Sequence, residues 1–337
     1  MHVLVNDFIG GVLDRGIPLY VRNLVQGLRD EGVRVTVVRA PSFFRKIPRG
    51  AFYMISVLME QLVLPVIGFI LRADVTIYPY NTMAIADMLS RRGRIVVHDL
   101  ELLNRSHFSP ARLYCSVCYA AIRRLAYPVF TIADLIQKKI LERGIFGQAP
   151  IRLLPNTFYI FEDLIRANAP AAVVEKSILL CTGSTENKDL ASLVSEYLPA
   201  ALFQGFRVSI LGLHKKSDAA ILDTLRSFLT SGQIKLCGQL SDEEVAREYL
   251  THQIVWVHSR REGFGRCVVE GRLAGRPVVC SAIPEFVTLK DNGVFLYESA
   301  AEFGELIAKL TGTHNILPDY AGYPYRQMLR NTVRAAL

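Results

Sequence analysis

The order of the apolar segments constrains this chain more than any other feature. Short β-branched runs alternate with longer amphipathic stretches from one end to the other, the pattern of parallel sheets joined by crossover helices rather than of antiparallel hairpins. Strands are expected at 3–6, 33–38, 75–78, 95–97, 129–132 and 151–154, and again at 178–181, 207–211, 234–237, 254–257, 278–280 and 293–296. Each half opens alike, with strand, glycine turn and helix: Val3-Leu4-Val5 leads to Gly10-Gly11, and Leu179-Leu180-Cys181 leads to Gly183. At roughly 150 residues per domain, 337 residues make about two domains. The expected fold class is therefore α/β, with two Rossmann-like, doubly wound parallel sheets in tandem. A boundary is expected near residues 167–176, where Asn168-Ala169-Pro170-Ala171-Ala172 lacks bulky side chains. That gives domains of 1–168 and 169–320, and a closing segment of 321–337. Open α/β sheets bind ligands outside the carboxyl ends of their strands, so two such domains facing each other would hold a site in the cleft between them.

The content of the chain supports a packed core: 51% apolar residues against 21% charged excludes a disordered polymer. Six cysteines, at 115, 118, 181, 237, 267 and 280, are too scattered for a disulfide framework and point to a reducing, cytoplasmic compartment. The Cys115–Cys118 pair has no second pair to complete a metal site and falls in a helical stretch, so no metal is expected. Met1 leads directly into the first strand, and no secretory leader is expected there. The formal net charge of +8 is uneven: residues 1–165 hold 20 Lys+Arg against 13 Asp+Glu (+7), and residues 166–337 hold 19 against 18 (+1). A positive first half suits an anionic partner. The basic residues are dispersed and no nucleic-acid module is visible, so nucleic acid is not the expected one. Neither a GxGxxG fingerprint nor a GxxxxGK[ST] loop is present, which argues against dehydrogenase and P-loop chemistry.

Residues 51–71 break the rhythm, being apolar apart mainly from Ser56, Glu60, Gln61, Pro65 and Gly68. The Glu60-Gln61 pair and Pro65 make a membrane span costly, so a buried or surface-lying helix is expected. Upstream, Phe43-Phe44-Arg45-Lys46-Ile47-Pro48-Arg49 mixes aromatic and basic residues in the manner of a segment at an anionic headgroup layer. A solvated loop explains the same composition.

The stretch richest in chemistry follows the 254–257 strand and runs His258-Ser259-Arg260-Arg261-Glu262-Gly263-Phe264-Gly265-Arg266-Cys267-Val268-Val269-Glu270. Its glycines let backbone approach a ligand, and a helix expected at 268–274, ended by Gly275 and Pro277, would offer amide N–H groups to an anion. Glu262 on the loop and Glu270, expected about two turns into the helix, could hold two parts of one polyhydroxylated molecule.

Glu262-Gly263-Phe264-Gly265 with Glu270, then Ala274-Gly275-Arg276-Pro277-Val278-Val279, resembles the ExxxxxxxE signature of retaining GT-B glycosyltransferases of family 4. Gly10-Gly11, Val96-Val97-His98-Asp99, Leu154-Pro155-Asn156-Thr157 and Gly238-Gln239-Leu240-Ser241-Asp242-Glu243-Glu244 with Tyr249 resemble further family segments, in order along nearly the whole chain. The resemblance implies a GT-B enzyme that needs no metal and no cofactor and whose substrate is a UDP- or GDP-linked sugar. It assigns Glu270 to the ribose hydroxyls, Glu262 with the amides of Gly263, Phe264 and Gly265 to the donor sugar, Lys188 to the diphosphate, His98 to the reacting centre and Gly11 to the approach of the first loop to the phosphate. It also implies that the last helix packs back on the N-terminal domain. Where many relatives carry an arginine after the glycine equivalent to Gly183, this chain has Ser184-Thr185-Glu186-Asn187 before Lys188; Ser184, Arg261 and Arg266 are the candidate diphosphate contacts, with either arginine able to supply the absent charge. The acceptor suggested by the basic first half is a glycan or lipid-linked saccharide of bacterial surface polysaccharide assembly, met at the inner face of the cell membrane. A noncatalytic nucleotide-sugar-binding subunit and a GT-B sugar-nucleotide epimerase are the alternatives.

Overall fold

The computed structural model describes residues 1–12, 16–100, 103, 109–168, 171–213, 219–312 and 325–336. The first sheet contains β1 (His2–Asp7), β2 (Arg34–Arg39), β3 (Val75–Tyr78), β4 (Gly93–Val97), β5 (Val129–Thr131) and β6 (Ile151–Leu153), in the order β2-β1-β3-β4-β5-β6. The second contains β7 (Val174–Cys181), β8 (Arg207–Leu211), β9 (Ile234–Gly238), β10 (His252–Val257), β11 (Val278–Ser281) and β12 (Val294–Tyr297), in the order β12-β11-β10-β7-β8-β9. All strand pairs are parallel. The helices that shape the sites are α1 (Gly16–Asp30), α2 (Arg49–Leu58), α3 (Leu64–Ile70), α4 (Ile85–Leu89), α5 (Pro110–Leu125), α6 (Asp242–Thr251), α7 (Arg266–Leu273) and α8 (Tyr325–Ala336).

Every strand expected from the sequence is present; β1, β3, β5, β10 and β11 are buried along their whole length, as a sheet covered by helices requires, while the edge strands β2 and β6 are only partly covered. The largest change of boundary is at β7, which begins at Val174 rather than 178. There Lys176 takes a left-handed φ of 49°, its N–H donates to Gln253 Oε1 (2.8 Å), and the irregular pairing lets β10 start at His252 as well. Within each sheet the chain runs outward in one direction and then jumps back, which leaves a switch point between β1 and β3 and another between β7 and β10. Loops diverge at such points, and the crevice they leave is where α/β sheets take ligands.

The chain divides into two compact units, Met1–Tyr159 with Pro324–Leu337, and Ile160–Tyr323. Each has its own core, one beneath β3, β4 and α5 and the other around Trp256, Tyr297 and Phe303. Helix α8 belongs to the first unit: Leu329 is fully buried against Gly27 of α1, Thr332 Oγ1 donates to Leu153 O (2.9 Å), and Arg330 Nε meets Glu31 Oε1 at 2.6 Å.

The apolar 51–71 segment is a helix lying on the first sheet. α2 and α3 are joined by a π turn at Met59–Val63. Phe52, Ser56, Glu60, Leu64 and Gly68 face inward, a four-residue repeat that would drift about 40° per step around a straight α-helix; the wider π turn takes up part of that drift. The Glu60-Gln61 pair that argued against a span is bonded into the unit. Tyr114 Oη donates to Glu60 Oε1 (2.6 Å), Asn6 Nδ2 to Glu60 Oε2 (3.2 Å), and Gln61 bridges Met83 O and Ile85 N (both 3.1 Å). Of the preceding aromatic-basic residues, Phe44 packs against Phe8 and Phe52, while Phe43 is exposed.

Candidate active site

In the second unit the switch point is built from the loop after β7 and the loop after β10, and the two are stitched together. Ser259 Oγ and Arg260 N both donate to Asn187 O (2.8 Å each), Asn187 Nδ2 donates to Arg261 O (3.1 Å), and Arg260 Nε donates to Asp189 Oδ2 (2.7 Å). These contacts set Lys188 against Glu262, whose side chains form a close, largely shielded ion pair. Burial works against the Lys188 charge, but the Glu262 carboxylate outweighs it and the pKa of the ammonium is raised. Lys188 is therefore a fixed cation at neutral pH.

Helix α7 starts at Arg266, two residues earlier than the sequence suggested, and Glu270, its fifth residue, lies in the second turn, short of the two turns expected. Gly265 caps it with a φ of 94°, and a Cβ there would fall 2.8 Å from the Phe286 ring; only glycine fits both demands. Glu270 is buried, accepting from Tyr249 Oη (3.1 Å) and pairing with Arg266 Nη2 (3.4 Å). Tyr249 reaches it because α6 is anchored by a capping box, in which Ser241 Oγ accepts from Glu244 N (3.2 Å) and Glu244 Oε2 from Ser241 N (2.7 Å). Burial pushes the Tyr249 phenol far above its ordinary pKa, so it remains a donor. Its oxygen also lies 3.2 Å from Cys181 Sγ, and a Cys181–Cys267 hydrogen bond holds the Cys181 thiol above and Cys267 below the usual value. Each carboxylate oxygen of Glu270 keeps a further lone pair for a ligand hydroxyl. Neither glutamate faces bulk solvent: their side chains are 16% and 8% exposed.

Of the proposed diphosphate contacts, Arg266 is engaged with Glu270, Arg261 is exposed beside Glu262 with its carbonyl bound to Asn187, and Ser184 is exposed on the loop after β7. Gly263 and Phe264 lie half-buried between Glu262 and the α7 cap. At the end of β10, His258 lies 4.7 Å from the Tyr197 ring and stacks on Tyr297, and burial pushes its pKa down to about 4, so it is neutral at pH 7.

The first unit has its own cluster at the β1–β3 switch point. Asp7 is buried at the end of β1, pairs with Arg39 and accepts from Tyr80 Oη (2.7 Å); burial raises its pKa despite these partners. Gly11 passes so close to β2 that a Cβ would meet Ala40 O at 2.2 Å. His98, just beyond β4, is buried, its backbone N–H donating to Asn81 Oδ1 (2.8 Å) and its ring edge-on to Tyr20 (4.6 Å). The sequence reading missed Asn187, Asp189, Tyr249 and Asp7 as site-forming residues. Tyr249 carried a signal, its place in the 238–249 segment that resembles the family.

Two loops meeting at a β7–β10 switch point, a lysine–glutamate pair between them and a second glutamate in the following helix all fall in one segment. Residues 176–312 match the family of glycosyl transferases group 1. No curated protein matches the chain. Among solved structures it is similar to Anabaena HepE in complex with UDP-glucose (18% identity, 99% of this chain and 100% of that one, TM-score 0.68). It is also similar to a sucrose-phosphate synthase from Thermosynechococcus elongatus (16%, 98% and 94%, 0.67) and a glycosyltransferase from Rickettsia africae (16%, 98% and 93%, 0.58). At these identities the likeness is one of fold, and the fold is that of GT-B glycosyltransferase structures: two α/β units, each on a parallel six-stranded sheet.

Proposed function

We propose that the chain is a retaining, metal-independent glycosyltransferase that takes a sugar from a UDP- or GDP-linked donor held by the second unit. The carrying observation is the Lys188–Glu262 pair at the β7–β10 switch point, its glutamate eight residues before the buried Glu270 of the following helix. A nucleoside diphosphate leaving group gathers negative charge as the glycosidic bond breaks. The fixed Lys188 ammonium and the amides at the start of α7 supply preorganised positive potential for it. As the diphosphate draws on Lys188, the Glu262 carboxylate is left to accept hydrogen bonds from hydroxyls of the donor sugar, while Glu270, oriented by Tyr249, accepts from the ribose. In the proposed retaining course the acceptor attacks the face from which the diphosphate leaves, and a donor phosphate oxygen takes its proton. No protein nucleophile is then needed.

The acceptor is assigned to the basic first unit, and its class to lipid-linked saccharides of surface polysaccharide synthesis, reached by a cytoplasmic protein resting on the inner face of the membrane. The UDP-glucose carried by the HepE structure favours a uridine donor. A thermal-shift screen with UDP, GDP, ADP and their sugars tests the donor half. One pyrimidine or guanine sugar nucleotide should raise the melting temperature, because a ligand that binds only the folded state stabilises it. No response to any of them would overturn the proposal, and slow hydrolysis of the stabilising donor without acceptor would separate a transferase from a noncatalytic binding subunit.

A further inference from the structure

From Gly50 to Ile70 every exposed side chain is apolar. Met54, Leu58, Leu62, Val66 and Ile70 form the outer row, with Val63 and Phe69 beside it, and Phe69 is 71% exposed. A surface helix of this kind ordinarily carries charge on that face. Neighbouring α5, tied to the helix by the Tyr114–Glu60 bond, exposes Leu113 and Val117 as well. The stretch has a mean hydropathy of 1.8, long and apolar enough to cross a membrane, yet its inner row is built into the sheet and its acid is bonded to Asn6 and Tyr114. It is suited to lie on a surface rather than to pass through one.

What covers it is indicated by charge. The first unit holds 23 Lys+Arg against 11 Asp+Glu (+12), the second 16 against 20 (−4). A second copy seated through the same face would bring like charge to like charge. At the end of α3 a pocket of about 620 Å³ is lined by Phe69, Ile70, Arg72, Ala73, Asp74 and Arg92. Arg72 and Arg91 follow α3 and α4 in left-handed conformation (φ 50° and 60°), closing the helices through Ala73 N to Gly68 O (2.9 Å) and Arg92 N to Asp87 O (3.0 Å). Glycine fills that position with less strain. Arginine occurs at both, at the amino ends of the adjacent strands β3 and β4.

We propose that the outer face of Gly50–Ile70, with the Arg72–Arg92 pocket at its end, seats the protein on an anionic phospholipid bilayer. The apolar row enters the acyl boundary along about 30 Å of helix, and the guanidinium groups take headgroup phosphates. This deepens the reading of a membrane-surface enzyme and rests on it, while donor binding is independent of it. The experiment is co-sedimentation of the full chain with vesicles of phosphatidylcholine alone and of phosphatidylcholine with one-third phosphatidylglycerol, at low salt. Wild type should bind the second vesicles and scarcely the first. The exposed double variant Leu62→Glu/Val66→Glu, and Arg72→Gly/Arg92→Gln, should each weaken that binding at least tenfold. Arg72→Gly alone should weaken it while keeping or raising the melting temperature. Failure of wild type to bind, unchanged binding by the variants, or conversion of a dimer to a monomer by Leu62→Glu/Val66→Glu would overturn the proposal. Thermal shifts with nucleotide sugars, unaltered in all of these proteins, report the donor site separately.

Discussion

At the residue scale, the two glutamates divide the work by their surroundings. In the proposed reading Glu262 faces a lysine that a diphosphate also claims and acts in turnover: Glu262→Gln should lower kcat by about a hundredfold with a far smaller effect on folding, in a donor hydrolysis or transfer assay. Glu270 is oriented by Tyr249 and Arg266, so Glu270→Ala should weaken donor binding about tenfold or more in calorimetry. Wild-type affinity in that variant would remove its assignment. Both glutamates were legible in the sequence because a loop glutamate, two glycines and a helical glutamate lie within nine residues of one another. The partners that orient them were not. Asn187 and Asp189 come from a loop 71 or more residues earlier, and Tyr249 from a helix 21 residues away; only strand order brings these positions together.

At the element scale, the helix on the first sheet shows what periodicity conveys and what it omits. A nearly continuous apolar sequence announced a helix, and the polar Glu60-Gln61 pair, bonded into the first unit, argued against a span. Neither the π turn nor an outer row as apolar as the inner one follows from composition, since both depend on which side meets the sheet. The buried Glu60 makes a testable mark. Burial lifts its pKa from 4.5 to about 7, against the hydrogen bonds from Tyr114 and Thr82. The folded state thus holds a proton that the unfolded chain releases at lower pH, and stability is lost as pH rises from about 4.5 through about 7. The loss is on the order of 3 kcal/mol. Glu60→Gln should flatten this window in denaturant titrations at stepped pH; a stability curve that stays as steep in the variant would show the slope to arise elsewhere.

At the scale of the whole molecule, strand order is the fact on which the others depend. Alternating runs in the sequence gave twelve strands and two sheets, and the second sheet carries the switch point at which the candidate site forms. That the last helix packs on the N-terminal domain was implied by resemblance alone, and its contact with α1 was not foreseen, since no periodicity in either helix names its partner. It should be costly to weaken: Leu329→Ala should destabilise the protein by about 2–5 kcal/mol in chemical unfolding, because the leucine is fully buried against Gly27. A loss under half a kcal/mol would mean that α8 is not part of that core. The same contact makes the first unit a host and the second its guest. During synthesis the guest's sheet is complete before the host receives the helix that closes it, so the unit that starts first finishes second.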